Sequence, residues 1–577
     1  MAISTPLQSP GIFVREIDLT GVVPNVPTST GAFVGEFNWG PVEEPVLISN
    51  ESGLVEVFGS PDSDNTVEWH SAAYFLRYSN ELQVVRVVAS ATNAYDSDAD
   101  SASPPLVKNR DNFDDQIAAL ADSDHSFIAK YPGDAGNSIS VHYVTADSSG
   151  TTDFDAWTYK SSFDAAPKTS TWATAASALN DEAHVVVVDR LGEISGTRGS
   201  VLEIFPFVSL AKGALKEDGS SNYILDVINN GSNYVWMAGF GAAGKFSALA
   251  GTNVSSSKNY AKTGTVTKTV NFVGGANGSA IGTSEYATGF DLFEDKEALL
   301  VDFLIAPGLS SRADQTTVVN DLVTIAGSTR KDCVVVTSPA RSDIIGNASP
   351  VTASVTTANT FTSSSYLIVD NNYLKVYDKY NDQYIWIPAA SSVAGIMAST
   401  DAVAAPWFSP AGPRRGQVLG VTSLAYSPNQ SQRDTLYKAG INPIANIPGQ
   451  GVLLYGDKTK LARPSAFDRI NVRRLFLGIE RAVSVAARNV MFEFNDEFTR
   501  AEFKNIIEPF LREIQGRRGI TDFRVVCDET NNTPAVIDRN EFVCSLFIKP
   551  ARSINYVTLN FVAVRTGVDF AEVVGTV

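Results

Sequence analysis

Between Gly239 and Lys245 the chain reads GFGAAGK, the GxxxxGK spacing of a loop whose backbone amides cradle phosphates while a lysine meets their charge. The chemistry would be nucleotide binding. Phe246, however, stands where a Ser or Thr hydroxyl should hold Mg²⁺, and Gly251 follows too soon for a helix to lend its N-terminal dipole. A flexible glycine loop is the favoured reading, and an NTPase is the alternative. Asp96, Asp98 and Asp100 imitate the start of a calcium loop, but its sixth position is Ser101 and its twelfth Val107, not Gly and Glu. An acidic surface linker accounts for them better. Neither GxSxG nor HExxH occurs, and no cysteine pairs with a histidine in a hydrolase pattern. His70, beside Glu68 and Trp69, reads as packed or exposed; His125, His142 and His184 are scattered and predict no metal site. Catalytic, metal-binding and cofactor-binding residues are therefore all expected to be none, and the chain is expected not to be an enzyme.

The elements that would position any chemistry follow from length and composition. A chain of 577 residues exceeds one hydrophobic core and predicts roughly three or four domains. With 44% hydrophobic and 19% charged residues it is too apolar for disorder. A net charge of −18 repels phosphate backbones and argues against nucleic-acid binding. Cys333, Cys527 and Cys544 are too few for a disulfide framework; they lie in apolar strands, read as core, and point to a reducing compartment. The first residues carry no secretory signal and no run reaches membrane-spanning length, so a soluble, cytosolic product is expected.

Charge divides unevenly. From Ala411 onward there are 22 Lys+Arg and 17 Asp+Glu, net +5; the remainder of the 45 and 63 is 23 and 46, net −23. Two faces with different neighbours would explain this, and so would simple drift of charge between domains. Residues 91–284 are rich in Ser, Thr, Gly, Ala and Asp, with short β-like runs such as HVVVVD from His184 and VLEIFPFV from Val201. Around them, the alternating run from Ser29, a helix over 67–78 behind Asp64 and Asn65, and the strand from Leu82 precede the insertion. A strand from Ala298, a helix over 314–326 and a strand from Asp332 follow it. Right-handed βαβ packing assigns these flanks to one interrupted α/β domain.

The C-terminal part is the most regular. Val472, Leu475, Ile479, Val483, Ala486 and Val490 form one apolar helical stripe, while Arg474, Arg481 and Arg488 recur every seven residues on another. Thr499 with Glu502 reads as a capping box opening a second helix, which Pro509 should kink. Three strands follow, from Asp522, Glu541 and Asn555. Strand-like arms at both ends of the chain, from Gly11 and from Asn555, pair either within the subunit or with a neighbour's sheet edge. The second case is a heterologous contact that propagates into a helical filament.

Several long motifs carry a resemblance: SPGIFVREID from Ser9, STGAFVGEFNWGPV from Ser29, YDKYNDQYIWIP from Tyr377, WFSPAGPRRGQVLGV from Trp407, PSAFDRINVRRLF from Pro464 and KPARSINYVTLNFVAVRTG from Lys549. The chain is similar to the contractile tail sheath proteins of T-even-like myoviruses. The resemblance implies a multidomain α+β, mixed α/β fold. Residues 1–22 and 411–577 would form an inner sheath core with terminal arms, 23–90 and 285–410 a middle α/β domain, and 91–284 an outer β-rich insertion. The insertion departs from the longest relatives near 91–111, so a protruding outer domain found in some of them is expected to be missing.

The resemblance further implies a helical homopolymer of stacked hexameric rings around the tail tube protein, with baseplate and tail terminator proteins at its ends. It implies no direct nucleic acid, no membrane insertion and no cofactor. Such a sheath resides in the virion tail, assembles in the host cytoplasm, and contracts without nucleotide to drive the tube through the host envelope for genome delivery. The sheath of a related contractile injection apparatus is the alternative. The arm strands would contribute Ile12, Val14 and Glu16 at the front and Tyr556, Thr558, Asn560 and Val562 at the back. Arg473, Arg474, Arg481 and Arg488 are candidates for inner-face or intersubunit contacts, against a solvated or internally paired face.

Overall fold

Val334–Thr337 (VVVT), Leu367–Asp370 (LIVD) and Phe303–Ile305 (FLI) are apolar at nearly every position and buried throughout. Strands covered on both faces, as in a parallel sheet between helices, require such composition. The computed structural model describes residues 28–97, 104–122, 125–147, 152–240, 245–262 and 264–555. In it these strands belong to a seven-stranded sheet ordered Ile441–Asn442, Leu367–Asp370, Val334–Thr337, Phe303–Ile305, Gly31–Gly35, Leu82–Arg86 and Val46–Ile48. All neighbours run parallel except Val46–Ile48, an antiparallel edge.

Helices cover both faces. On one, Tyr286, Phe290, Val318, Val319, Leu322 and Ala358 pack on Ala32, Val34, Leu304, Val335 and Val369. Gly289 permits this approach, because a Cβ there would lie 2.4 Å from Cγ1 of Val34. On the other face the helix Thr66–Phe75 sets the Phe75 ring 6.4 Å from that of Phe303. The predicted helix over 314–326 is observed as Arg312–Thr324, begun by Ser311, whose side chain accepts from the Asp314 amide.

Gly31–Gly35 pairs with Leu82–Arg86 on one side and Phe303–Ile305 on the other, so the intervening chain departs and returns at one place. Antiparallel bridges Ala89↔Ser279 and Thr92↔Ala276 join its two ends. Buried Arg86 holds the root, donating to the carbonyls of Gly40 (3.0 Å) and Pro132 (2.7 Å). The inserted chain forms a second seven-stranded sheet with every neighbour antiparallel: Ser200–Ser209, Glu182–Asp189, Ile139–Thr145, Thr267–Val273, Tyr95–Asp96, Phe127–Ala129, Val235–Met237. Val141, Tyr143, Val185, Val187, Val270 and Phe272 face its main core, and Val144, Val186 and Val188 meet Phe154 and Trp157 on the other side.

The chain divides into two compact units, with 410–473 in the larger one and 474 onward, with 407–409, in the smaller. This moves the expected start of the C-terminal module from 411 to 474. The physical reason is the sheet, since Ile441–Asn442 adds its last parallel strand and fixes the intervening residues to it. The second helix of the smaller unit, Glu497–Gly516, is begun by Asp496 and not by Thr499; Asp496 accepts from the Thr499 amide at 2.8 Å. An aspartate caps as well as a threonine, so the helix gains most of a turn. Pro509 lies inside it.

One buried carboxyl gives the larger unit a pH dependence. Asp370, fully buried at the end of its strand, accepts from Ser338 Oγ (2.8 Å) and the Asn372 amide (3.0 Å). Burial nevertheless pushes its pKa up to about 7 from the ordinary 3.8. The folded chain thus holds the proton more tightly than the unfolded one. Stability from this group is complete below the unfolded value and is lost as pH rises through about 7. Asp370→Asn, which mimics the protonated acid, should therefore escape a loss on the order of 2–3 kcal/mol that the native chain suffers between about pH 5 and pH 8, read from urea denaturation curves.

Candidate subunit-contact site

The phosphate-loop and calcium-loop residues neutralise each other. Lys245 Nζ lies 2.6 Å from Asp96 Oδ1, with both side chains buried. The other Asp96 oxygen accepts from the amides of Ser126 (2.6 Å) and Phe127 (3.1 Å). Phe246, where a magnesium-binding hydroxyl would stand, stacks on Tyr143 with ring centroids 4.4 Å apart, and the Tyr143 hydroxyl donates to the Lys245 carbonyl. The lysine and the first aspartate are thus one core ion pair; Asp98, Asp100 and residues 241–244 lie outside the described residues. His70 is packed between Asp378 (3.5 Å) and the Thr66 carbonyl (2.9 Å). No group of three His, Cys, Asp or Glu side chains among the described residues is arranged to hold a metal, and no described helix is long and apolar enough to cross a membrane.

The helix predicted from the apolar stripe runs from Ile470 to Arg488. Its arginines divide by depth. Arg473, in the larger unit, donates to Ser365 Oγ and lies 4.2 Å from the ring centres of both Tyr366 and Phe467. A planar guanidinium stacks well on aromatic faces, and here that attraction holds it inside the subunit. Arg473 is thus buried and partnered within the subunit. Arg474 is buried too, Arg481 is half-buried and Arg488 is exposed. The seven-residue period located the stripe but carries no information on its depth.

In the smaller unit Leu475, Ile479, Phe503, Ile507, Leu511 and Ile514 cover one face of an antiparallel hairpin, Ile520–Val526 with Ser545–Pro550, through Ile520, Val525 and Cys527. Among the described residues neither outer edge of this hairpin is paired. Two strands alone are marginal, and an open edge is a template for another strand. The arm residues expected to pair there, Ile12, Val14, Glu16, Tyr556, Thr558, Asn560 and Val562, all lie outside the described residues, as does the third expected strand beyond Asn555. Phe547 on the hairpin is largely exposed.

A second feature escaped the sequence reading. The turn between the two helices displays Met491, Phe492 and Phe494, and the first turn of the second helix adds Phe498, with Phe492 wholly exposed and Phe494 at 84%. Its signal was present, since these apolar residues fall outside both helical stripes and sit among Glu493, Asp496 and Glu497. Concentrated exposed aromatics of this kind mark contact surfaces.

The buried ion pair has a measurable consequence. Lys245→Met leaves the Asp96 charge buried without its cation and should cost about 3–5 kcal/mol in chemical denaturation of the full chain, with part of the loss recovered in Lys245→Met/Asp96→Asn. Calorimetric titration of the native chain with ATP should show no saturable heat.

Three family models match the chain in order. They are described as the N-terminal region of tail sheath protein Gp18 domain III over residues 28–87, the phage tail sheath protein central domain over 279–460, and the phage tail sheath C-terminal domain over 462–563. The tail sheath protein of Vibrio phage KVP40 is 32% identical over 700 aligned positions, covering 99% of this chain and 100% of that one. That of Enterobacteria phage T4 is 32% identical over 685, covering 99% of each. Both alignments exceed the 577 residues here, so these relatives carry segments this chain lacks. The fold is shared with the sheath tail protein of Listeria innocua (TM-score 0.53, 13% identity, 92% of this chain and 93% of that one). It is shared as well with that of Desulfitobacterium hafniense (TM-score 0.51, 13% identity, 94% and 100%). With its interrupted parallel sheet, its helix-covered hairpin and an identity that runs the length of its relatives, the chain belongs to the phage tail sheath protein family.

Proposed function

We propose that this chain is the repeating structural subunit of a contractile phage tail sheath, which polymerises helically around the tail tube and contracts to drive that tube through the host envelope. The observation that carries this reading is the identity with phage tail sheath proteins across 99% of the chain. Those relatives are phage proteins, which favours a virion tail over an injection apparatus. The burial of Lys245 against Asp96 weighs against the NTPase alternative.

The physical reading begins at the hairpin. Its edges, unpaired among the described residues, accept terminal arms from neighbouring subunits, and such a heterologous contact repeats into a helix. The C-terminal core with the terminal arms makes the contact with the tube. Baseplate and terminator proteins bound the polymer, and the host cytoplasm is where it assembles. Exposed ion pairs are worth only about 0–1 kcal/mol each, so contacts made by Arg488 and its neighbours hold the tube weakly enough for sliding. The energy for contraction resides in the lattice: a gap of a few kcal/mol per subunit between two packings becomes large over a cooperative array. Domains with cores as fully packed as these move as rigid bodies while the arms bend and keep the subunits connected.

Negative-stain electron microscopy across a concentration series tests the arm mechanism. The intact chain should form rings or tubes, and deletion of residues 1–22 or of 556–577 should abolish them. Tubes that persist after both deletions would transfer the polymer contacts to the domain faces.

A further inference from the structure

The hairpin of the smaller unit ends at a cysteine pair. Val526 faces Ser545 in the last paired position, and the same antiparallel register places Cys527 directly opposite Cys544 one step further on. Opposed residues in an antiparallel pair have Cα atoms about 4.5–5.5 Å apart, within the 4.4–6.8 Å span of a disulfide.

Two asparagines hold both backbones in place around the pair. Asn531 Nδ2 donates to the Val526 carbonyl (2.9 Å) and to Ser545 Oγ (3.0 Å), tying the residue before Cys527 to the residue after Cys544. Asn532 grips Val543 from both sides, its Oδ1 accepting from the Val543 amide (2.9 Å) and its Nδ2 donating to the Val543 carbonyl (2.8 Å). The Cys527 thiol donates to the Val543 carbonyl (3.9 Å), beside Cys544. Interaction with Cys544 holds the Cys527 thiol below its ordinary range and pushes that of Cys544 above it, with Arg500 a smaller influence on Cys527. Cys527 is buried and Cys544 half-exposed, at the edge of the shared core.

We propose that Cys527 and Cys544 are a latent disulfide site, two thiols preset across the end of the hairpin that a low-molecular-weight disulfide oxidises to a cystine within one subunit. The Cys527 thiolate attacks the reagent's S–S bond, forming a mixed disulfide and releasing one reagent thiolate, which takes up a proton. Cys544 then loses its proton to solvent and attacks the Cys527 sulfur, forming the protein S–S bond and expelling the second reagent thiolate. Two protein thiols are oxidised and one reagent disulfide is reduced to two thiols. The bond closes the 528–543 loop and restricts the unfolded chain of the smaller unit. Cys333, buried in the larger unit's core, takes no part. The site does not depend on the assembly reading.

The test treats the full chain, purified reduced, with glutathione disulfide. Thiols are then titrated in denaturant, and alkylated tryptic peptides are mapped by mass spectrometry. Trypsin cleaves after Arg539, between the two cysteines, so the bond appears as a linked peptide pair. The expected result is a fall from three thiols to one, an intact mass lower by two hydrogens, a Cys527–Cys544 peptide pair, and recovery of three thiols with dithiothreitol. Cys333→Ser should retain the linkage; Cys544→Ser should lose it while the mass stays the same or gains one glutathione. Three persistent thiols, stable glutathione adducts on the native chain, or linkage between chains on a non-reducing gel would each overturn the proposal.

Discussion

The larger unit depends on one short strand. Gly31–Gly35, buried at every residue, lies parallel to Leu82–Arg86 and to Phe303–Ile305, and so joins segments more than two hundred residues apart into one sheet. Every backbone polar group in such a strand must pair, because burial without a partner costs more than the hydrogen bond returns. That constraint brings the ends of the insertion to one root, where Arg86 and two short bridges secure them. A change of length in the insertion then need not disturb the sheet.

Residues that would do chemistry elsewhere serve packing here. Lys245 and Asp96 close a strand end, His70 links a helix to a hairpin, and Asp370 with Ser338 and Asn372 finishes a parallel strand. Each is enclosed by named partners. Loop motifs are weak evidence for this physical reason: a Gly-rich run followed by lysine has the same spacing whether the amine meets a phosphate or a buried carboxylate.

The smaller unit has the opposite character. Its two helices are well covered inside, while among the described residues its sheet has two strands and its surface carries Phe492, Phe494, Phe498 and Phe547. Exposed aromatics of this kind mark contact surfaces, in contrast to the parallel sheet with helices on both faces. The cysteine pair sits at the same hairpin, where two asparagine side chains take over the strand pairing that the backbone has ceased to make.

Periodicity and composition by themselves determined the helix over Ile470–Arg488, the parallel-sheet strands at Gly31, Leu82, Phe303 and Val334 and the β-rich character of the insertion, because local patterns of apolar residues report directly which face is covered. The long motifs determined the family. Tertiary structure alone decided that 410–473 belong with the larger unit, since a two-residue strand, Ile441–Asn442, has no local signature and exists through its partner Leu367–Asp370. It also decided the depth of the helix's arginines, where Arg473 sinks between two rings while Arg488 faces solvent. The meeting of Asp96 with Lys245 and of Cys527 with Cys544 belongs to the same class. A sequence records spacing along the chain, and these contacts are set by distance across it.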